Sequence, residues 1–499
     1  MIFGLLADFV KTTRRLYKKT ANAASMNYSN LLDRYPVFEQ IRRVADQLQL
    51  DTYVVGGFVR DLFLQRPSKD IDIVCVGSGI QLAQAVARAL KSPGQVVVFK
   101  NFGTAMLRCQ GWDLEFVGAR KESYSHNSRK PVVENGTLAD DQLRRDFTIN
   151  TLAIGLHSRQ WGALVDDLGG MADLARQVIQ TPQDPSVTFS DDPLRMIRAI
   201  RFATQLRFTI TPATLEAIEQ NVDRISIVSQ ERITDEFNKI LGASAPSYGL
   251  KLLLQTGLLA KIFPELVALQ GQETIQGHSH KDVFYHTLQV LDHVASASDN
   301  LWLRWAALLH DIAKPRTKQF DLATGFSFHG HEDLGAKMVP KIFRKMKLPL
   351  RETMAYVQKL VRLHLRPIVL AQDVVTDSAI RRLVVEVGDA LEDLMLLCRS
   401  DITSKDSARV QRYLQNFDRV EAKIHEVAAK DQLRNFQPVI TGEAIMQTFR
   451  LKPSKLVGTI KGAIREAILA GVIENNYDQA YAYMLRLGKE HGLRPVADK

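Results

Sequence analysis

Asp70 and Asp72 stand two residues apart in Lys69-Asp70-Ile71-Asp72-Ile73-Val74, a run whose apolar alternation predicts a strand. At that spacing both carboxylates leave the same face. Like charges held side by side are costly unless a cation neutralises them, so the economical reading is a divalent-metal site with oxygen ligands, Mg²⁺ in the first instance. Such ions align a nucleoside triphosphate with an attacking hydroxyl. Asp113 and Glu115 repeat the alternation on a later strand. Glu115 is therefore a candidate third carboxylate, the alternative being an exposed acid at a strand end.

Upstream, Thr52-Tyr53-Val54-Val55 runs straight into Gly56-Gly57-Phe58-Val59-Arg60-Asp61. Two glycines after a strand let the backbone turn and approach a phosphate, and the following helix offers its N–H groups. Arg60 adds a charged fork for phosphate oxygens. Alone, a Gly-Gly pair equally suits an ordinary turn.

Further on, Arg195, Arg198 and Arg201 recur every third residue behind Asp191-Asp192-Pro193. Pro193 suits a first helical turn with Asp191 or Asp192 as cap, which makes the arginines one cationic stripe. Paired, Asp192 and Arg195 present an acceptor and donors in one plane. Cytosine and adenine both show an amino donor beside a bare ring nitrogen, whereas uracil and guanine show carbonyl beside N–H. One Asp/Arg pair therefore accepts the first two and rejects the others, leaving Arg198 and Arg201 for phosphate or for stiffening the pair.

A second constellation lies downstream: eight of the twelve histidines fall between residues 278 and 364. His310-Asp311, at a helix end in AALLHDIAKP, can chelate a divalent metal with His286 as a further ligand. His329, His331, Glu332, His364 and Asp401 are available to complete one or two metal shells. His278, His280 and His293 read as surface residues or as supports behind the ligands.

The elements that must position these groups fall into two kinds. Residues 28–48 carry helical periodicity, and short β-rich runs follow at 52–55, 71–76, 95–99, 104–109 and 112–117, with a helix over 80–90. Residues 120–137 are polar and aperiodic, predicting a loop. After about residue 185 the β signal disappears and helical periodicity continues to the C-terminus. The expectation is an α/β head ending near residue 160 on a long all-α body. Residues 1–25 read either as a basic amphipathic arm or as an extension upstream of a working start at Met26.

Composition sets the outer bounds. The chain has 499 residues, 45% hydrophobic and 24% charged, values that exclude collagen-like and wholly disordered classes. Three scattered cysteines exclude a disulfide framework and a thiolate zinc site, and they fit a reducing cytosol. No apolar run approaches the roughly 20 residues that span a bilayer. Sixty-five Lys+Arg against 55 Asp+Glu give a formal charge of +10, which points to a polyanionic partner, most simply nucleic acid.

GGFVRD followed by KDIDIV resembles the bacterial tRNA nucleotidyltransferase and poly(A) polymerase family, class II of the polymerase-β-like nucleotidyltransferases. Arg144-Arg145-Asp146-Phe147-Thr148-Ile149-Asn150, the Asp191–Arg201 block and Glu231-Arg232-Ile233 with Glu236 resemble further blocks of that family, in its order. The resemblance implies metal ligands and catalytic groups at Asp70 and Asp72, and triphosphate contacts at Gly57 and Arg60. It also implies a nucleotide contact at Arg145, pocket-organising roles for Asp146 and Asn150, and support from Glu231 and Arg232. Residues 120–137 are similar to the family's mobile loop near the active site. The histidine-rich stretch resembles the HD superfamily of metal-dependent phosphohydrolases. That implies ligands at His286, His310, Asp311 and Asp401, second-metal candidates at His331 and His364, and a phosphate-stabilising Lys314. The C-terminal stretch TGEAIMQTFRLKPSKLVGTIKGAIREAILAGVI is similar to the family's tRNA-holding segment, with Lys452, Lys455, Lys461 and Arg465 as phosphate contacts or as a solvated face.

Together these imply a nucleotidyltransferase head over 26–160, a helical neck and body over 161–270, an HD domain over 271–405 and a helical tail over 406–499. The expected activity is template-independent addition of CCA to tRNA from CTP and ATP with Mg²⁺, in the cytoplasm, with a second divalent metal in the HD domain. Poly(A) or A-only addition shares every motif. An HD phosphohydrolase with a nucleotide- or RNA-binding head is the reading of another class, and the costly Asp70/Asp72 pair argues against it.

Overall fold

The computed structural model describes residues 27–496 apart from 69, 91–95, 110, 126–127, 277, 280–281, 371–375, 404–406 and 432–436. The expectations for residues 1–25 and for His280 therefore lie outside the described residues. The chain divides into two compact units, Met1–Pro264 and Glu265–Lys499.

The first unit is built on strands β1 (Thr52–Val55), β2 (Asp70–Cys75), β3 (Val97–Phe99), β4 (Thr104–Cys109), β5 (Trp112–Gly118), β6 (Arg120–Ser125), β7 (Ser128–Asn135), β8 (Ala153–Gly155) and β9 (Leu164–Val165). Seven of them form one sheet in the order β3-β4-β5-β2-β1-β8-β9. Its pairings are antiparallel except for β2 with β5, which run parallel with Asp70 opposite Asp113 and Asp72 opposite Glu115. The alternation of β2 puts Ile71 and Ile73 on the other face, where they join Leu107, Leu114 and Phe116, all fully buried. The helix Gly79–Ala89 packs against β2, β4 and β5. It comes close because Gly79 has no side chain: a Cβ there would stand 2.7 Å from the Val117 backbone.

Two expectations need correction. Within the stretch 120–137 expected as a loop, residues 120–125 and 128–135 form an antiparallel pair, β6 with β7, whose register shifts between Ser123 and Ser125. Polar residues hide a strand because backbone pairing does not depend on an apolar face. Short strands also persist beyond residue 185, at Thr209–Ile210, Thr274–Ile275, His278–Ser279, Gln319–Asp321 and Gly325–Ser327, too brief to show an alternation.

The rest of the first unit is helical, notably Pro185–Asp191, Leu194–Leu206 and Gln230–Leu241. The second unit stacks Val283–Ala297, Leu301–Leu309, His331–Lys345, Glu352–Leu363 and Leu391–Asp401. Its last three helices, Gly442–Phe449, Lys455–Leu469 and Tyr477–Glu490, gather around a core of their own that includes Ile445, Ile460, Ile464 and Met484. Among the described residues no helix is long and apolar enough to cross a membrane. The three cysteines are buried free thiols.

Candidate functional site

An open cleft of about 770 Å³ in the first unit is lined by Gly57, Asp70, Asp72 and Glu115 together with Arg60, Arg145, Asp146, Asn150, Asp192, Arg195, Arg198, Arg201 and Arg232. The sheet register sets the acidic part. Asp72 and Glu115 are neighbours across the parallel β2–β5 pair and share a face. Burial raises the Asp72 carboxyl above its ordinary range; Arg145 opposes the shift and Asp70 adds to it. Burial, then Asp72 itself, raises Glu115 in the same way. Asp70, Asp72 and Glu115 line one cleft and offer the oxygen donors that a hard divalent ion takes, so their chemistry fits Mg²⁺.

Beside them the β1 strand ends at Gly56, whose φ of +74° favours glycine. A Cβ here would lie 2.9 Å from Arg145 Nη1 and 3.1 Å from Asp72 Oδ2. The missing side chain thus lets a guanidinium and a carboxylate close over the turn. Arg145 is held from behind by Asp141, fully buried, whose Oδ2 accepts from Nε at 3.1 Å and from Nη2 at 2.9 Å. Asp141 also pairs with Arg144. Burial pushes its carboxyl up, but Arg145 and Arg144 together hold it below its ordinary range. Sequence reasoning missed Asp141. The signal was there: it stands three and four residues before the two arginines, in a helix that starts with a Thr137/Asp140 capping box.

Arg60 donates to Asp61 through Nε at 2.9 Å and Nη2 at 2.8 Å, and to Asn150 Oδ1 through Nη1 at 2.8 Å. Asp146 accepts from Asn150 Nδ2 at 2.9 Å and from Arg198 Nε at 2.8 Å, so one acid links the RRDFTIN segment to the Leu194–Leu206 helix. Burial works against its ionisation, and Arg198 with Asn150 overrides it, leaving the carboxyl far below its usual range. Arg201 pairs with Glu236 at 2.6 Å, and burial draws its guanidinium down to about 10. Lys239 also bonds Glu236, at 3.0 Å, and lines the cleft unanticipated. Glu231, in contrast, is exposed and does not line it.

The base-reading pair requires a correction. Asp192 caps the Leu194–Leu206 helix as expected, its Oδ1 accepting from Leu194 N at 3.2 Å. Its Oδ2 pairs with Arg232, at 3.3 Å, rather than with Arg195. The Arg195 guanidinium turns inward and donates to the carbonyl of Arg144 at 2.7 Å. A buried guanidinium must satisfy its donors, and main-chain carbonyls offer a closer partner than a capping carboxylate already in use.

The second unit holds the histidine cluster. Two groups of potential ligand atoms, each within 4.8 Å, are His286 with His310 and Asp401, and Asp311 with His331 and His364. Asp311 joins them: Oδ2 is 3.3 Å from His310 Nε2 and 3.6 Å from His286 Nε2, while Oδ1 is 3.2 Å from His331 Nε2. The Nδ1 atoms of His310, His331 and His364 each lie 2.7 Å from the carbonyl three residues earlier. That contact fixes the proton on Nδ1 and leaves Nε2 aimed inward as a lone pair. Nε2 of all three, with Asp311 Oδ1, has no hydrogen-bond partner although buried. Orphaned inward-facing donors around a shared carboxylate fit two divalent ions. Burial lowers the His310 imidazole, but Asp311 and Asp401 outweigh it and lift it to about 10, so without a cation its Nε2 holds a proton that a bound ion would displace. Burial and His310 draw His364 down to about 4. Lys314 Nζ lies 2.6 Å from Asp311 Oδ2, on the carboxylate rather than free for a phosphate. His329 and Glu332 belong to neither ligand group.

Three family models match the chain: the poly A polymerase head domain over residues 52–180, a probable RNA-binding site of polymerase A over 207–269, and the HD domain over 283–423. An A-adding tRNA nucleotidyltransferase of Deinococcus radiodurans is 34% identical over 71% of this chain and 80% of its own length. A multifunctional CCA protein of Nitrosococcus oceani is 30% identical over 73% and 88%. The Bacillus stearothermophilus CCA-adding enzyme, solved in complex with CTP, shares the fold at a TM-score of 0.61 and 22% identity, covering 91% of this chain and 97% of that one. The order of head, RNA-binding and HD segments, with the depth of these two relationships, shows that the chain belongs to the tRNA nucleotidyltransferase family built on the poly(A) polymerase head, and is an enzyme.

Proposed function

We propose that the chain adds C, C and A without a template to the 3′ end of tRNA, from CTP and ATP. The observation carrying this reading is that one cleft combines a carboxylate trio with an arginine array ending at a base-sized acceptor, Asp192. The names of the N. oceani relative and of the CTP-bound structural neighbour support it. Asp70, Asp72 and Glu115 would hold Mg²⁺, which supplies charge neutralisation at the reacting phosphate. The backbone at Gly57 and the guanidinium groups of Arg60 and Arg145 bind the triphosphate. The RNA 3′-hydroxyl attacks the α-phosphorus, the bond to the β-phosphate oxygen breaks, and pyrophosphate leaves toward Arg60 and Arg145. Glu115, beside Asp72 across the β2–β5 register, is placed to take the hydroxyl proton. Asp192, oriented by Leu194 N and Arg232, accepts the amino group of cytosine or adenine.

The test is extension of a tRNA transcript ending before CCA. Two additions with CTP and a third only with ATP are expected; no extension under any condition overturns the reading. The D. radiodurans relative favours a second reading, addition of A alone. A single A from ATP alone, or a long A ladder, would select it or poly(A) synthesis.

The second unit is proposed to hold two divalent ions and to hydrolyse a phosphoester, a 2′,3′-cyclic phosphate among the candidates. The alternative is a spacer that keeps ligands without turnover. Opening of a 2′,3′-cyclic nucleotide by one water to its 2′- or 3′-monophosphate, abolished by His310→Ala with Asp311→Ala, separates the two. The division into head over 26–160, neck and body over 161–270, HD domain over 271–405 and tail over 406–499 is part of the proposal, supported by family matches over 52–180, 207–269 and 283–423, and the buried free thiols suit a cytoplasmic setting.

A further inference from the structure

Three cations converge on one aromatic ring at the cleft wall. The Phe202 ring centroid lies 3.8 Å from the Arg201 guanidinium carbon, 4.9 Å from that of Arg60 and 5.4 Å from that of Arg198. All three fall inside the range at which an aromatic quadrupole attracts a cation. Phe202 is 6% exposed and lines the cleft, and Phe147 meets it edge to face at 5.8 Å. Like charges gathered so closely repel one another. Carboxylates answer them in part: Asp61 pairs with Arg60, Asp146 with Arg198, and Glu236 with Arg201 at 2.6 Å and with Arg198 at 3.8 Å, so the carboxylates link Arg198 to Arg201 but not to Arg60. Among these partners, the ring is the one that meets all three. Arg60 comes from the short helix after the phosphate turn, whereas Arg198 and Arg201 come from the helix that carries Asp192 at its start.

We propose that Phe202 is a positioning residue: its π-face sets the spacing of Arg60, Arg198 and Arg201, and so couples the phosphate end of the cleft to its base-selecting end. This rests on the nucleotide reading of the cleft. A leucine would fill most of the volume but offer no negative face, leaving buried guanidinium groups to repel one another. The consequence is weaker binding of any nucleoside triphosphate, CTP and ATP alike, because the ring braces arginines and reads no base.

The experiment uses the full-length enzyme carrying Phe202→Leu, Phe202→Tyr, or 3,4,5-trifluorophenylalanine at position 202, which keeps the shape of the ring while depleting its negative face. Equilibrium binding of CTP and of ATP is measured alongside KM for each nucleotide and for tRNA. The expected result is roughly fivefold weaker nucleotide binding with the fluorinated ring and roughly tenfold weaker with leucine, while tyrosine stays near wild type and KM for tRNA is unmoved. Should leucine prevent folding, the fluorinated variant still decides. Wild-type affinity with the fluorinated ring, or equal losses with leucine and tyrosine, would overturn the proposal and leave the nucleotide reading standing. A wild-type enzyme that bound neither CTP nor ATP would overturn both.

Discussion

Asp141 grips Arg145 through a single oxygen, Oδ2, which accepts from Nε at 3.1 Å and Nη2 at 2.9 Å, and the same carboxylate holds Arg144. Removing it takes a counter-charge from both arginines, though Asp72 and Asp146 still act on Arg145. Breaking a buried pair from one side costs about 3–5 kcal/mol. Asp141→Ala is expected at about the lower end, because both arginines keep some contact with solvent. Asp141→Asn, which keeps an acceptor, should lose less. Urea denaturation reads the difference, and a wild-type midpoint for Asp141→Ala would refute the bracket.

Gly56→Ala separates binding from folding. The added Cβ would sit 2.9 Å from Arg145 Nη1 and 3.1 Å from Asp72 Oδ2, at a φ of +74°. The backbone strain costs roughly 1–2 kcal/mol. Displacing Asp72 and Arg145 should cost far more in activity, on the order of a hundredfold in nucleotide addition, since ångström-scale misplacement of reacting groups has that effect. A variant that lost stability yet kept full addition would show that neither group needs its observed position.

Much of this site was legible because its signals are local. The Asp70/Asp72 alternation, the glycine turn after β1 and the arginine spacing after Pro193 each follow from a period or a turn rule, and each element formed where expected. The partners were not legible. Asp192 meets Arg232 from 40 positions away, Arg60 meets Asn150 from 90, and Phe202 collects guanidinium groups from two helices; no single-chain period encodes such encounters. Glu115 is intermediate: its alternation was visible, but only the parallel β2–β5 register puts it beside Asp72. The β6–β7 ribbon escaped because its sequence is polar and carries no apolar alternation, whereas the pairing is made by the backbone.

Asp192 owes its orientation to Arg232, at 3.3 Å, so base selection should depend on a residue that reads no base. Arg232→Gln is expected to reduce discrimination against UTP and GTP by roughly tenfold while leaving tRNA affinity unchanged. The measurement is kcat/KM for each of the four nucleotides. Unaltered ratios would place the orienting role elsewhere, with the Leu194 N–H as the remaining contact.

Asp72 should be a stability liability. Burial raises its folded-state carboxyl pKa, Arg145 notwithstanding, and Asp70 adds to the shift. A raised folded-state pKa means that the protonated group favours the fold below the unfolded pKa of about 3.9, and that this contribution is lost as pH rises through the folded value. At neutral pH the ionised side chain therefore opposes folding unless a cation is bound. Asp72→Asn is expected to stabilise the metal-free protein at pH 7 by about 1 kcal/mol while abolishing nucleotide addition. The gain should shrink at low pH and with added Mg²⁺. Thermal melts at pH 4 and 7, each with and without the ion, test all three signs, and a destabilised Asp72→Asn at pH 7 would reverse the assignment.

Asp311 makes the strongest case for a paired metal centre, since its two oxygens face different histidines: Oδ2 toward His286 and His310, Oδ1 toward His331 and His364. If both oxygens serve, ions bound in the second unit should be lost unequally on mutation. With the head silenced by Asp70→Asn and Asp72→Asn, equilibrium dialysis against Mn²⁺ is expected to give two ions per chain. His331→Ala should remove one, because His286, His310 and Asp401 still define the other group. Asp311→Ala should weaken both, since either group then lacks its shared oxygen donor, and metal affinity typically falls 10–100-fold even when only a supporting contact is lost. The imidazoles must be neutral to bind, so protons compete with the ions and retention should fall as pH is lowered. Loss of a single ion in Asp311→Ala, with the other held at wild-type affinity, would mean that Asp311 serves one metal only and that the second group binds independently of it.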